Sequence, residues 1–245
     1  MSRPCAFCPS TANISGEHLW SDWMNTLFPS IPVTFQKLKF DGSVIKQWQA
    51  PGLNMKARVV CKTCNETWMS AIESQHAKPA MADLISGKHV DKVTAERCRS
   101  ISLFAFKTAV IANHMLPKDE EFFDVSERYL FRESLSIPPR VRMWFLGFAP
   151  QNRGGIRSVN VYSPNNDSPQ LTLNVCSLYA GQFGFQVLAV KGVRVAKMKS
   201  PPTMPGLVIP FYPFFQRAIS WPRTFVLRAE AFNKFACRWT EAKFE

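Results

Sequence analysis

Four of the seven cysteines stand in two tight pairs, Cys5-Ala-Phe-Cys8 and Cys61-Lys-Thr-Cys64. Two intervening residues form a knuckle that turns both thiolates to one side, and two facing knuckles close a tetrahedral site for a structural Zn2+. The start, MSRPCAFCPS, lacks the apolar stretch of a secretion signal, so a reducing, cytoplasmic setting is expected, where clustered thiols serve a metal rather than disulfides. Cys98, Cys176 and Cys237 stand alone and are read as packing residues. The 52 residues between the knuckles exceed what a simple zinc ribbon needs, so something is inserted there.

The insert contains NISGEHLW, in which Glu17-His18 is the only acid-histidine pair of the first 78 residues, and Asn65 follows the second knuckle directly. Hydrolysis of a phosphodiester needs a base for water and a cation for the charge that develops on oxygen. An imidazole can take the water's proton near neutral pH. A carboxylate and an amide oxygen are hard ligands suited to Mg2+ or Mn2+. His18 is thus a candidate general base, with Glu17 and Asn65 as candidate ligands. Each has a plainer reading: Asn65 as a helix cap, His18 as partner of a turn carbonyl, Glu17 as a solvated charge. At helical spacing, Asn65, Met69 and Glu73 share one face. Met69 is useless to Mg2+, and Glu73 lies about 12 Å along the axis from Asn65, too far for one ion unless another segment reaches across. Glu73 is a secondary candidate and His76 a weaker one; Trp68 and Ile72 are expected to pack on Trp20 and Trp23.

The set C5-x2-C8, E17-H18 and C61-x2-C64-N65 resembles the HNH, or ββα-metal, endonucleases, in their zinc-stabilised four-cysteine subset with EH and CxxCN motifs. The resemblance implies a hairpin carrying the acid-histidine pair, held by zinc against a helix that opens with Asn. It also implies DNA cleavage dependent on Mg2+ or Mn2+, and a setting in phage, mobile elements or antiphage defence. Two positions depart from the pattern: Ser21 stands where many members have Pro, and Lys56 where they have a middle Asn that holds the hairpin and orients the histidine. Asn54 and Asn13 are the nearest substitutes.

These residues need a scaffold, and 245 residues with 46% hydrophobic side chains suffice for a sizeable core. Residues 1–78 read as the zinc-bound module, closed by a helical run, CNETWMSAIESQHA, expected to stop before Pro79. Residues 79–245 form the second part. Leu103, Phe106, Val110 and His114 recur at helical spacing, and SERYLFRESL gives a further helix. Beyond IPPR, the segments VRMWFLGF, RSVNVYS, LTLNVCSLYA, GFQVLAV and GLVIPFY read as antiparallel strands, followed by a C-terminal helix over TFVLRAEAFNKFACRW that buries Phe225, Leu227, Phe232 and Phe235 in part. The fold class is α+β: an N-terminal zinc-bound ββα-metal module, then helices and a mostly antiparallel sheet.

The net charge of +12 is uneven, because residues 138–239 hold 13 Lys and Arg against only Asp167 and Glu230. A one-sided field suits a polyanion, most often nucleic acid, or simply a solubilised surface. Lys191, Arg194, Lys197 and Lys199, with Arg153 and Arg157, could follow a phosphate backbone or guard an edge strand. Phe211, Tyr212 and Phe214 could stack on unpaired bases or lie in the core. No membrane span, Walker motif, dinucleotide fingerprint or nucleophile elbow is present. One active site per chain cuts one strand per event, so double-strand cleavage would call for a homodimer. The alternative class is a non-catalytic zinc protein that binds nucleic acid or a protein partner.

Overall fold

A computed structural model of the chain describes residues 3–28, 32–38, 44–150, 154–162, 172–191, 206–213 and 219–241. The fold is α+β, with mostly antiparallel sheets and a four-cysteine cluster near the N-terminus.

Strand β1 (Ile14–His18) pairs antiparallel with β4 (Lys56–Cys61). A second hairpin, β2 (Pro32–Leu38) with β3 (Val44–Pro51), fills the insert between them. The chain then enters a helical run that opens at Lys62–Cys64 and closes as the α-helix Lys78–Ile85. This run does not stop before Pro79. It passes through π-helical turns at Asn65–Met69 and Ile72–Ala77, and Pro79 sits in the first turn of the segment that follows. A proline inside a regular α-helix clashes with the carbonyl four residues earlier, and a wide turn just upstream is one way to absorb that clash.

The helix Ala95–His114 is buried on every side from Ile101 to His114, as expected of an element clad by other elements all round. It lies between the 72–77 turn and β4 on one side and a five-stranded antiparallel sheet on the other. That sheet has the order β10 (Val208–Tyr212), β6 (Val141–Gly147), β9 (Phe183–Lys191), β8 (Thr172–Ala180), β7 (Gly154–Tyr162), so all five strands expected from the aromatic and β-branched runs are present. A short pair, β5 (Val90–Val93) with β11 (Ile219–Trp221), was not anticipated; its residues are too few for a period to show. The turn between β8 and β9 tucks under the end of the helical run, where Gln182 N donates to Ile85 O at 3.0 Å. Gly181 is required there: its φ is +55° and a Cβ would lie 2.5 Å from that same carbonyl.

One apolar cluster runs from Cys5 to Trp221, so residues on both sides of position 78 share a core. Trp68 packs edge-on against Phe7 and Phe131, with centroids 5.0 and 5.8 Å away, and shares one core with Trp20, Trp23 and Ile72. Trp20 also donates its indole N–H to Tyr179 O of the sheet. The C-terminal helix is shorter than expected, Phe232–Cys237, and Phe225 is 45% exposed. The backbone around Leu227 is committed elsewhere: Leu227 N donates to Gly147 O and Leu227 O accepts from Ala149 N, which lengthens the edge of β6.

The first knuckle is tied down by charge. From the helix Val125–Ser134, Arg128 Nη1 donates to Ala6 O at 2.5 Å and Nε to Phe123 O at 3.2 Å. Arg3 donates to Leu116 O at 2.9 Å and pairs with Glu121, which Arg128 also meets. His114 lies against this group, its Nδ1 3.5 Å from Glu121 Oε1, and burial above all, then Arg3, pushes its pKa down to about 4. An unfolded histidine titrates near 6.5. The unfolded chain therefore takes up this proton first, and the folded state loses stability as pH falls from about 6.5 towards 4. Urea midpoints between pH 7.5 and pH 5 should fall less in His114→Gln than in the parent; equal falls would exclude His114 as the source.

Candidate metal centre and His18 site

Cys5, Cys8, Cys61 and Cys64 are buried, and their sulfurs all lie within 4.8 Å of one another, with Cys8 Sγ and Cys61 Sγ 3.6 Å apart. A tetrahedral zinc with bonds of about 2.3 Å separates its ligands by about 3.8 Å, so the four cysteines are positioned to bind a metal such as zinc. Backbone N–H groups support the sulfurs: Phe7 N and Cys61 N donate to Cys5 Sγ at 3.4 and 3.2 Å, and Cys64 N to Cys61 Sγ at 3.5 Å. Crowding splits the thiols. Hydrogen bonding from Cys64 above all pulls Cys5 down to about 5, while the same bond and burial push Cys64 up, and burial pushes Cys8 up. Four thiolates in this space need a cation to neutralise them. Cys98 and Cys176 lie apart in the core, where burial raises their thiols to about 11 and about 12.

The Cys61–Cys64 contact also begins the helix, because Cys61 is its N-cap. Asn65 therefore lies inside the helix with φ −64° and is not its cap. Its Nδ2 reaches back to β1, donating to Ser15 Oγ at 3.1 Å and more weakly to Gly16 O at 3.4 Å. These residues flank the irregularity between Ser15 and Glu17, where β1 slips against β4. The extra residue is on β4, where Arg58 and Val59 stand opposite Gly16 alone, and beyond it Glu17 lies opposite Ala57 and His18 opposite Lys56.

Glu17 is 4% exposed. Its Oε1 accepts from Lys107 Nζ at 2.6 Å, and the same ammonium donates to Glu73 Oε1 at 2.5 Å. Glu73 is thus brought beside Glu17 by a cation from the buried helix, Lys107. Burial works against the Lys107 charge, but the two carboxylates outweigh it and hold the ammonium above its usual range. Burial also pushes Glu17 up, with Lys107 pulling it back.

His18 stands directly opposite Lys56 on β4. Its pKa is lowered, first by burial and then by Lys56, which favours the neutral imidazole at neutral pH. Its Nδ1 is buried and makes no hydrogen bond among the described residues. The position where the family pattern carries Asn thus does face the histidine, and lysine offers it no acceptor. Neither Asn54 nor Asn13 takes its place: Asn54 is exposed, and Asn13 turns the chain with φ +52° and gives its carbonyl to Lys62 N. Met69 is buried in the core, and His76 Nδ1 lies 3.4 Å from Ser100 Oγ, facing the neighbouring helix.

Lys107 is the site residue that motif reading misses. A signal existed: it is the only Lys, Arg, Asp or Glu between Arg99 and Lys118, in the apolar run SLFAFKTAVIA. Of the basic residues named above, Lys191 pairs with Asp124 at 2.7 Å and Arg157 is half-buried on β7, while Arg153, Arg194, Lys197 and Lys199 lie outside the described residues. Phe211 is core, stacked on Phe145 with centroids 3.9 Å apart, and Tyr212 donates its hydroxyl to Ile137 O; Phe214 lies outside the described residues. Among the described residues, no helix is long and apolar enough to cross a membrane.

Purified protein is expected to carry one zinc per chain by elemental analysis. Cys61→Ser should lose that zinc and, with it, cooperative unfolding of the N-terminal part, since the free energy of a structural zinc is folding free energy. Full folding without metal would disprove the assignment. No family model matches the chain, and neither a curated protein nor a solved structure matches it.

Proposed function

We propose that the chain is a metal-dependent DNA endonuclease of HNH type, hydrolysing phosphodiester bonds with His18 as general base. The observation that carries this reading is the state of His18: a half-buried, neutral-favouring imidazole that makes no side-chain hydrogen bond among the described residues, on a strand fixed by a four-cysteine centre. A base must offer a free lone pair to water at working pH. The donor set around it suits a hard ion. Glu17 Oε2 and Asn65 Oδ1 make no hydrogen bond among the described residues, leaving two oxygen ligands for Mg2+ or Mn2+. When bound, such an ion would stabilise charge on the phosphoryl and leaving oxygens. The chain's own part is to hold Asn65 against β1 and Glu17 against Lys107, and to take the water's proton at His18. The basic surplus of residues 138–239 supports DNA as the substrate, engaged by the second part of the chain. By family analogy alone, such a nuclease would serve in phage, mobile-element or antiphage settings.

One observation favours a second reading, a zinc-containing module that binds nucleic acid or a partner without cutting. The cation actually set against Glu17 and Glu73 is Lys107, and the residue facing His18 is a second lysine, Lys56.

Plasmid cleavage decides between them. With Mg2+ or Mn2+ the parent should nick or linearise plasmid, and His18→Ala at matched zinc content should lose about 10²–10⁴-fold in rate, the usual worth of a general base. Salt-dependent binding by both proteins, with no cleavage of duplex, single strands or RNA by either, would establish the second reading.

A further inference from the structure

Lys107 is fully buried on a helix that is itself buried all round, and its ammonium is the point where the hairpin strand, the 72–77 turn and the central helix meet. Two of its three N–H groups go to Glu17 Oε1 and Glu73 Oε1, and its Nζ lies 5.2 Å from the centre of the Phe104 ring. A purely structural role explains this cost poorly, because a buried ion pair often stabilises no more than apolar side chains of similar volume. The pattern of use is more telling. Only one oxygen of each carboxylate is taken; Oε2 of Glu17 and of Glu73 makes no hydrogen bond among the described residues. A carboxylate anchored through one oxygen with the other open is how outer partners prepare metal ligands.

We propose that Lys107 is a positioning residue of the His18 site: by gripping Oε1 of Glu17 and Glu73, it fixes the orientation in which Glu17 offers Oε2 to a divalent ion. The assignment rests on the endonuclease reading and adds to it a residue 90 positions from the carboxylate it orients. Because Lys107 is sealed from solvent, it touches neither substrate nor ion, and its effect passes through Glu17. Asn65, the other oxygen donor, is held separately by Ser15 and does not depend on it.

The test is Mn2+ binding to the full-length, zinc-loaded chain, followed by the electron paramagnetic resonance of free Mn2+, with zinc content and melting temperature recorded for every variant. The parent should bind Mn2+ at one site that Glu17→Gln abolishes. Lys107→Met should bind about 10–100-fold more weakly, the usual loss when an outer partner of a metal ligand is removed. If Lys107→Met does not fold, Lys107→Met/Glu73→Gln removes the repulsion between two uncompensated carboxylates and should show the same weakening. Folded Lys107 variants that bind Mn2+ as tightly as the parent would reduce Lys107 to a structural ion pair. Tighter binding would show that the ammonium competes with the ion, and either result overturns the assignment while leaving the endonuclease reading intact. A parent without a Glu17-dependent Mn2+ site overturns the assignment and the metal-dependent reading together.

Discussion

Buried charge must be neutralised where it lies, and this constraint shapes the N-terminal half of the molecule twice. Four sulfurs packed within 4.8 Å of one another demand a cation if they are to ionise together, and the chain brings the two knuckles together from the two ends of its insert, where they are positioned to bind one. A few residues away the sign is reversed: a lysine sealed in the core demands anions, and receives them from β1 and from the helical run. The first cluster fixes the hairpin to the helix start. The second fixes both to the central helix, and so to the sheet behind it.

The site near His18 depends on both. Asn65, placed just inside the helix by the cysteine cap, clasps β1 where its register with β4 shifts, and Glu17 just beyond meets Lys107. His18 follows, half-buried, with its Nδ1 buried and unbonded among the described residues. The bonds that shape this strand are thus also the ones that place Glu17 and His18 against their neighbours, Lys107 and Lys56.

The π-helical turns belong to the same logic. They widen the helix where Asn65 must reach β1 and where Glu73 must reach Lys107, and they let the run continue past Pro79 to a terminus whose carbonyls are used by neighbours. Leu84 O accepts from the Trp221 indole at 2.9 Å and Ile85 O from the β8–β9 turn. A helix ended at Pro79 would leave those donors of the second half without partners, at the cost of buried polar groups unsatisfied.

Local pattern was enough to identify the two knuckles, the five strands of the main sheet, the two long helices and the adjacency of Glu17 and His18, because thiolate spacing, two-residue alternation and 3.6-residue periodicity are short-range properties. It could not show that the helix runs through Pro79, since π-turns have no sequence period of their own, nor that the stretch around Leu227 abandons helix to pair with β6. It left Asn65 open between cap and site; the sulfur of Cys61 settles the capping question, through a contact three residues away. Above all, motif reading passed over Lys107, whose partners lie 90 and 34 positions distant. A lone charge in an apolar helix announces that it needs counter-charges, but only the packing of three elements decides which carboxylates supply them.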